Sequence, residues 1–223
     1  MDKQNTGATT APVQHIVSRI TLTGVDERTE LEALPDGVEI GVLYTWEPEG
    51  RHRYPSRSTV VKILERLQGR RLALHVCGSR ARAKLLDYAL ADMTHLVDRI
   101  QVNGQLFPDD VKAICGLYGG HTIITQHTIQ NSELAVLAAP NHVVLVDGSG
   151  GRGRSPEQWK RPNTQKAVGF AGGLGPDNAA NELTRIQSVA VGDWWIDMEG
   201  KLRDQDDWFD VQRANDVVAA LCG

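Results

Sequence analysis

The stretch Lys166-Ala167-Val168-Gly169-Phe170-Ala171-Gly172-Gly173-Leu174-Gly175-Pro176-Asp177-Asn178 decides how the chain is to be read. Its first six residues form a short apolar run. Glycines and a proline then break the chain, and helical spacing takes over across Asp177–Ile186. Asp177, directly after Gly-Pro, is placed as an N-cap or first-turn acid. A strand, a tight turn and a helix thus follow one another without a spare residue, which is one βα unit.

The same pattern recurs in both directions. Short, β-branched apolar runs occupy His15–Leu22, Val38–Tyr44, Arg71–Cys77, Val97–Val102, His121–Thr125, His142–Val146, Lys166–Ala171 and Trp194–Met198. Their starts lie about 25 residues apart, room for a strand, a helix and two loops. Helical spacing is clear over Ser56–Leu67, with Ser56 as a cap candidate, and over Ser79–Ala91, Asp177–Ile186 and Gln212–Leu221. Strict alternation implies a parallel sheet covered by helices. Eight units point to a closed (β/α)8 barrel, an α/β TIM barrel filling residues 15–223 as a single domain. A dinucleotide fold is disfavoured, because the first run ends Thr21-Leu22-Thr23-Gly24-Val25-Asp26 with one glycine. Residues 1–14 are polar and read as a disordered tail.

Composition agrees with this reading. The chain has 223 residues, 41% hydrophobic and 23% charged, enough apolar content for a sizeable core. A net charge of −4 gives no reason to expect nucleic-acid binding. No apolar run approaches the ~20 residues that span a bilayer. The three cysteines, Cys77, Cys115 and Cys222, are widely spaced. They suit neither a disulfide framework nor a cysteine zinc site, and the expectation is a cytoplasmic protein.

In such a barrel, function gathers at the C-terminal ends of the strands. Asp147 ends the apolar run Val143–Val146, where partial desolvation suits a general acid. The alternative is a turn-capping Asp. Asp197 follows Trp194-Trp195-Ile196 in the same way, to orient a neighbour, bind a sugar hydroxyl or hold a loop. Arg53 is a candidate for gripping a carboxylate bidentately. Gly172 and Gly173 suit an anion-binding turn, and Gly150 and Gly151 either a second such turn or a gate. Cys77 reads as a small buried residue and His75 as barrel filling, whereas His127 fits a site or a loop. Trp194, Trp195 and Trp208 fit core packing or an exposed patch for a partner.

These residues resemble phosphoribosylanthranilate isomerase of tryptophan biosynthesis. Phe170–Asn178 resembles that family's strand-7 phosphate loop. Leu145-Val146-Asp147-Gly148-Ser149-Gly150-Gly151-Arg152-Gly153, with Trp159 downstream, resembles its Asp, Gly-Gly-x-Gly, Trp pattern. Arg53-Tyr54-Pro55-Ser56 is similar to its carboxylate-binding loop. Ile100-Gln101-Val102-Asn103-Gly104 is similar to its strand 4, where His commonly stands at the position of Asn103. The resemblance implies an Amadori rearrangement, aldose to ketose, without metal or cofactor, on a small phosphorylated substrate. It makes Asp147 the acid and Arg53 the carboxylate clamp, and gives phosphate to Gly172 and Gly173. Gly150, Gly151, Asp197 and Asn103 complete the expected substrate contacts.

Two departures stand out. The family's base is a Cys in a Cys-Gly pair ending strand 1, and the matching pair here is Thr23-Gly24. Without an activator a hydroxyl is a very poor base. The strand-8 loop, Asp197-Met198-Glu199-Gly200-Lys201-Leu202-Arg203, is short and charged where the family has a Ser/Gly-rich segment. Since strand 8 adjoins strand 1 in a closed barrel, Glu199 is the expected replacement base, with Thr23 beside it. Three readings follow: an isomerase with a substituted base, a divergent barrel for another phosphorylated or carboxylated small ligand, and a non-catalytic binding protein. Nothing in the sequence fixes an oligomeric state.

Overall fold

The computed structural model describes residues 17–48, 50–147 and 153–222. Eight parallel strands close into a barrel in chain order: β1 (Arg19–Thr23), β2 (Glu39–Thr45), β3 (Arg71–Cys77), β4 (Arg99–Val102), β5 (Thr122–His127), β6 (His142–Asp147), β7 (Val168–Ala171) and β8 (Trp194–Met198). Closure is made by β8 against β1, with Ile196 opposite Ile20 and Asp197 opposite Thr21. The expected TIM barrel is therefore present. The tail 1–14 and the glycines Gly150 and Gly151 lie outside the described residues.

The helical layer is thinner than strict alternation implies. Helices α1 (Arg57–Arg66), α2 (Ser79–Leu86), α3 (Ala91–Thr94), α4 (Pro108–Leu117), α5 (Ala179–Gln187) and α6 (Val211–Cys222) follow β2, β3, β4, β7 and β8. Only short 3-10 turns, Leu31–Ala33 and Ser132–Val136, follow β1 and β5. Among the described residues no helix lies between β6 and β7. In each of these places the chain turns back too soon for a longer helix or runs through Pro-rich sequence.

Local chemistry explains the helix boundaries. Ser56 caps α1 by accepting the Thr59 amide, and Val60, Ile63 and Leu64 then face the sheet. The helix expected to run to Ala91 breaks after Leu86, because Tyr88 adopts a left-handed φ of 58°. That turn stacks its ring on Tyr118, with centroids 5.5 Å apart. α4, bounded by Pro108 at its first turn with Asp109 and Asp110 beside it, matches the charge preference of a helix start. The expected Asp177 cap is displaced by one residue: Asn178 precedes α5, and its side chain serves the loop instead.

Alternate strand residues face opposite ways. One set, including Leu22, Ile40, Leu74, Ile100, Phe170 and Trp194, packs beneath the helices as the main core. The other set fills the barrel. Its apolar part is Ile124, Leu145, Ala171 and Trp195. Gly169 makes room for it, since a β-carbon there would lie 2.3 Å from the Trp195 ring. Its polar part hangs on Glu39, which accepts from Thr21, Arg19 and Arg99 at 2.9, 2.6 and 2.9 Å. The Arg99 guanidinium lies 4.3 Å from the Trp195 ring centre. Trp194 and Trp195 are thus core residues, and Trp208 is covered too, so the three form no exposed patch. Among the described residues, no helix is long and apolar enough to cross a membrane.

Candidate active site

Above the barrel filling, the strand ends surround a cavity of about 380 Å³. It is lined by the loop after β2 and by residues from β3, β4, β5, β6, β7 and β8 and the segments that follow them. Of the expected site residues among those described, Asp147, Asp197, Glu199, Arg53, Asn103, Gly172 and Gly173 all line it. Strand register orders two of these positions. Asp147 pairs with Ala171, and Ala171 pairs with Asp197, so the two aspartates occupy one row with a methyl group between them.

Thr23 lies beneath the cavity and is fully buried. Its hydroxyl donates to Asp197 Oδ1 at 2.7 Å. Asp197 is itself buried, and burial pushes its carboxyl up to about 7 against the pull of the Thr23 hydrogen bond. The residue on β8 that reaches the end of strand 1 is therefore Asp197, not Glu199. Glu199 stands one inward position further along and turns to Arg53, whose Nη1 donates to Oε1 at 3.0 Å. Burial raises the Glu199 pKa, and the Arg53 charge opposes that rise.

Arg53 is heavily engaged. Nε and Nη2 donate to the two oxygens of Asp207 at 2.9 and 2.5 Å, in addition to the bond to Glu199. The loop after β2 is thereby tied across the cavity mouth to the loop after β8. Beneath that tie, buried Arg203 donates to the Gly24 and Asp207 carbonyls at 2.8 and 2.7 Å. Asp26 accepts the Phe209 amide at 2.7 Å and completes the support. The neighbouring cations have other work. His52 stacks on Trp208 at 3.9 Å, and Arg57 pairs with Asp92 at 2.7 Å.

The glycine loop after β7 is shaped for close approach. Gly172 and Gly173 have φ of 114° and 69°, in the region that favours glycine. A β-carbon on Gly173 would fall 2.2 Å from the Ser155 nitrogen. The loop is held by Asn178, which accepts the Gly175 amide at 2.9 Å and donates to the Gly173 carbonyl at 2.9 Å. Trp159 ties the preceding segment to α5 by donating to Glu182 at 2.7 Å. Such a turn leading into a helix presents backbone amides of the kind that bind anions.

On the β3–β4 side, Asn103 donates to Cys77 Sγ at 3.3 Å and accepts from Gln101 at 3.0 Å. Burial pushes the Cys77 thiol up to about 12, so it stays protonated. Burial pushes His75 down to about 3, so it stays neutral, as expected of barrel filling. His127 borders a separate cavity of about 280 Å³ beside Trp159 and Arg161. Sequence reasoning passed over Arg82 and Asp207. Arg82 lines the cavity and donates to the Asn103 carbonyl at 2.8 Å. Its place in the first turn of α2, just after a barrel strand, was a usable signal. Asp207 sits in the acidic run Asp204-Gln205-Asp206-Asp207, and only tertiary contact distinguishes it.

No family model matches the chain, and no curated protein matches its sequence. Among solved structures, the fold is similar to phosphoribosyl anthranilate isomerase from Thermococcus kodakaraensis. The TM-score is 0.59 at 16% identity, covering 92% of this chain and 99% of that one. At this identity the likeness establishes a shared barrel fold alone.

Proposed function

We propose that the chain catalyses an aldose-to-ketose Amadori rearrangement of an N-phosphoribosyl aminocarboxylate, phosphoribosylanthranilate being the substrate to test. The observation that carries this reading is the meeting of two inward aspartates, Asp147 and Asp197, with the Gly172-Gly173 turn on one cavity. A phosphorylated sugar needs an anion site at one end and proton-transfer groups along its first two carbons. Amides of the Gly172-Gly173 turn suit the phosphate. Asp147 suits the general acid that protonates the ring oxygen, so that the ring opens to a Schiff base. Arg53, at the opposite side of the mouth, suits the substrate carboxylate through donors it still has to offer.

The test is conversion of N-(5-phosphoribosyl)anthranilate by the purified chain, with Asp147→Asn beside it. Wild-type conversion that falls by about 10²–10⁴ in the variant supports the reading. No wild-type conversion refutes it.

A second reading has its own support. Asp207 and Glu199 already take three hydrogen bonds from Arg53, so a ligand carboxylate must compete for it. This favours a different small phosphorylated ligand, bound without isomerisation. Under that reading, ribose 5-phosphate raises the melting temperature of the wild-type chain, while phosphoribosylanthranilate is not converted.

A further inference from the structure

The rearrangement needs a base as well as an acid, and the cavity and its floor offer four candidate groups. Thr23 is not the base, because a hydroxyl holds its proton at neutral pH and here donates it to Asp197. Cys77 is a buried, protonated thiol. Glu199 is the counter-ion of Arg53, one inward position above the aspartate row. Asp197 remains, and its geometry is favourable. Thr23 fixes Oδ1, and no described residue donates to Oδ2. Asp197 shares its row with Asp147 across a single intervening strand. At about 4.8 Å between strands, their backbones stand about 10 Å apart, a span that lets two short carboxylates flank one sugar. Ala171 between them adds only a methyl group, which leaves the middle of the row open.

We propose that Asp197 is the catalytic base of this site, taking the C2 proton of the ring-opened substrate, with Thr23 as its positioning residue; the proposal rests on the isomerase reading above. The cycle balances without a co-reactant. Asp147 gives its proton to the ring oxygen as the C1–O bond breaks, and the nitrogen lone pair forms C1=N. Asp197 removes the C2 proton. The C–H pair becomes C1=C2, and the C=N pair returns to nitrogen, giving the enolamine. The proton on Asp197 then passes to C1, and the 2-hydroxyl proton returns to Asp147 as the ketone forms. Both aspartates end as they began.

The experiment compares wild type, Asp197→Asn, Asp147→Asn, Thr23→Val and Thr23→Ser on phosphoribosylanthranilate, protonated and deuterated at C2. Open-chain Schiff base is trapped in parallel with cyanoborohydride. Asn is isosteric and still accepts the Thr23 hydroxyl, so Asp197→Asn keeps the fold. The expected result is a kcat loss of about 10²–10⁴ in Asp197→Asn with little change in KM and with trapping retained. Asp147→Asn loses both turnover and trapping. Thr23→Val lowers kcat about tenfold and moves the acid limb of its pH profile upward, because the carboxylate loses its donor while Glu199, Glu39 and Arg99 still face it. Thr23→Ser restores both.

Wild-type turnover with Asp197→Asn unimpaired, or with trapping lost in that variant, overturns the assignment of the base alone. Absence of wild-type turnover overturns the isomerase reading, and this assignment with it.

Discussion

Arg53 grips Asp207 with two parallel hydrogen bonds, Nε to Oδ2 at 2.9 Å and Nη2 to Oδ1 at 2.5 Å, and so ties the loop after β2 to the loop after β8. The tie crosses the mouth of the cavity and involves partly exposed groups, so it contributes only about 0–1 kcal/mol to stability. Its larger effect is on ligand access to the guanidinium. Asp207→Asn is expected to leave the urea midpoint nearly unchanged and to tighten anthranilate binding several-fold, read by fluorescence titration. Unaltered affinity would make Arg53 a loop tie and not a carboxylate clamp.

Gly173 governs a different contact. With φ of 69° and a would-be β-carbon 2.2 Å from the Ser155 backbone, Gly173→Ala must displace one loop or the other. Backbone cannot yield as a side-chain tip can. A destabilisation of about 2–3 kcal/mol is expected, together with loss of any thermal shift produced by ribose 5-phosphate. Gly192→Ala is the control. It also has positive φ, but nothing lies within 4 Å of its β-carbon, so only the conformational cost remains.

The strands were readable because barrel strands are apolar on the face beneath the helices, and β-branched runs such as Val143-Val144-Leu145-Val146 stand out without any alignment. Candidate residues at strand ends were readable for the same reason: Asp147 and Asp197 each close such a run. Pairing between distant elements was not. Nothing local says that Asp197, and not Glu199, meets Thr23; that depends on the register Thr21 opposite Asp197, which sets which side chains face inward together. Nor does any local pattern distinguish Asp207 from Asp204 or Asp206 as the partner of Arg53. Strict alternation implies a helix after every strand, but the short connections after β1 and β5 hold only 3-10 turns.

The barrel floor is held by charge. Glu39 is fully buried and accepts from Arg99, itself almost wholly buried, at 2.9 Å. Removing one partner leaves a buried carboxylate with reduced compensation, although Arg19 and Thr21 still donate to it. Arg99→Met is expected to destabilise the chain by about 3–5 kcal/mol in urea unfolding. The double variant Arg99→Met with Glu39→Gln should recover much of that loss, since it removes the stranded charge. If the two effects simply add, the pair is not coupled.

Three buried groups give the stability a pH dependence of known sign. The His142 ring, which pairs with Thr125 at 2.8 Å, is pushed down to about 4 by burial. Between about pH 4.5 and 6 the unfolded chain therefore binds a proton there that the folded chain refuses, and stability falls as pH falls. His75, pushed down to about 3 by burial, acts in the same sense. Asp197 acts in the opposite sense. Its folded carboxyl, pushed up to about 7, stays protonated in that window, whereas the unfolded one is ionised, so its contribution falls as pH rises. His142→Gln should therefore flatten the slope of unfolding free energy against pH by about 1.4 kcal/mol per unit in this window. Asp197→Asn should steepen it by a similar amount. Urea unfolding of both variants and the wild type at about pH 4.5, 5.2 and 6 reads the two changes directly, in the window fixed by these groups. Equal slopes in all three proteins would show that neither group changes its protonation on folding, and a shift of the same sign in both variants would contradict the raised carboxyl of folded Asp197.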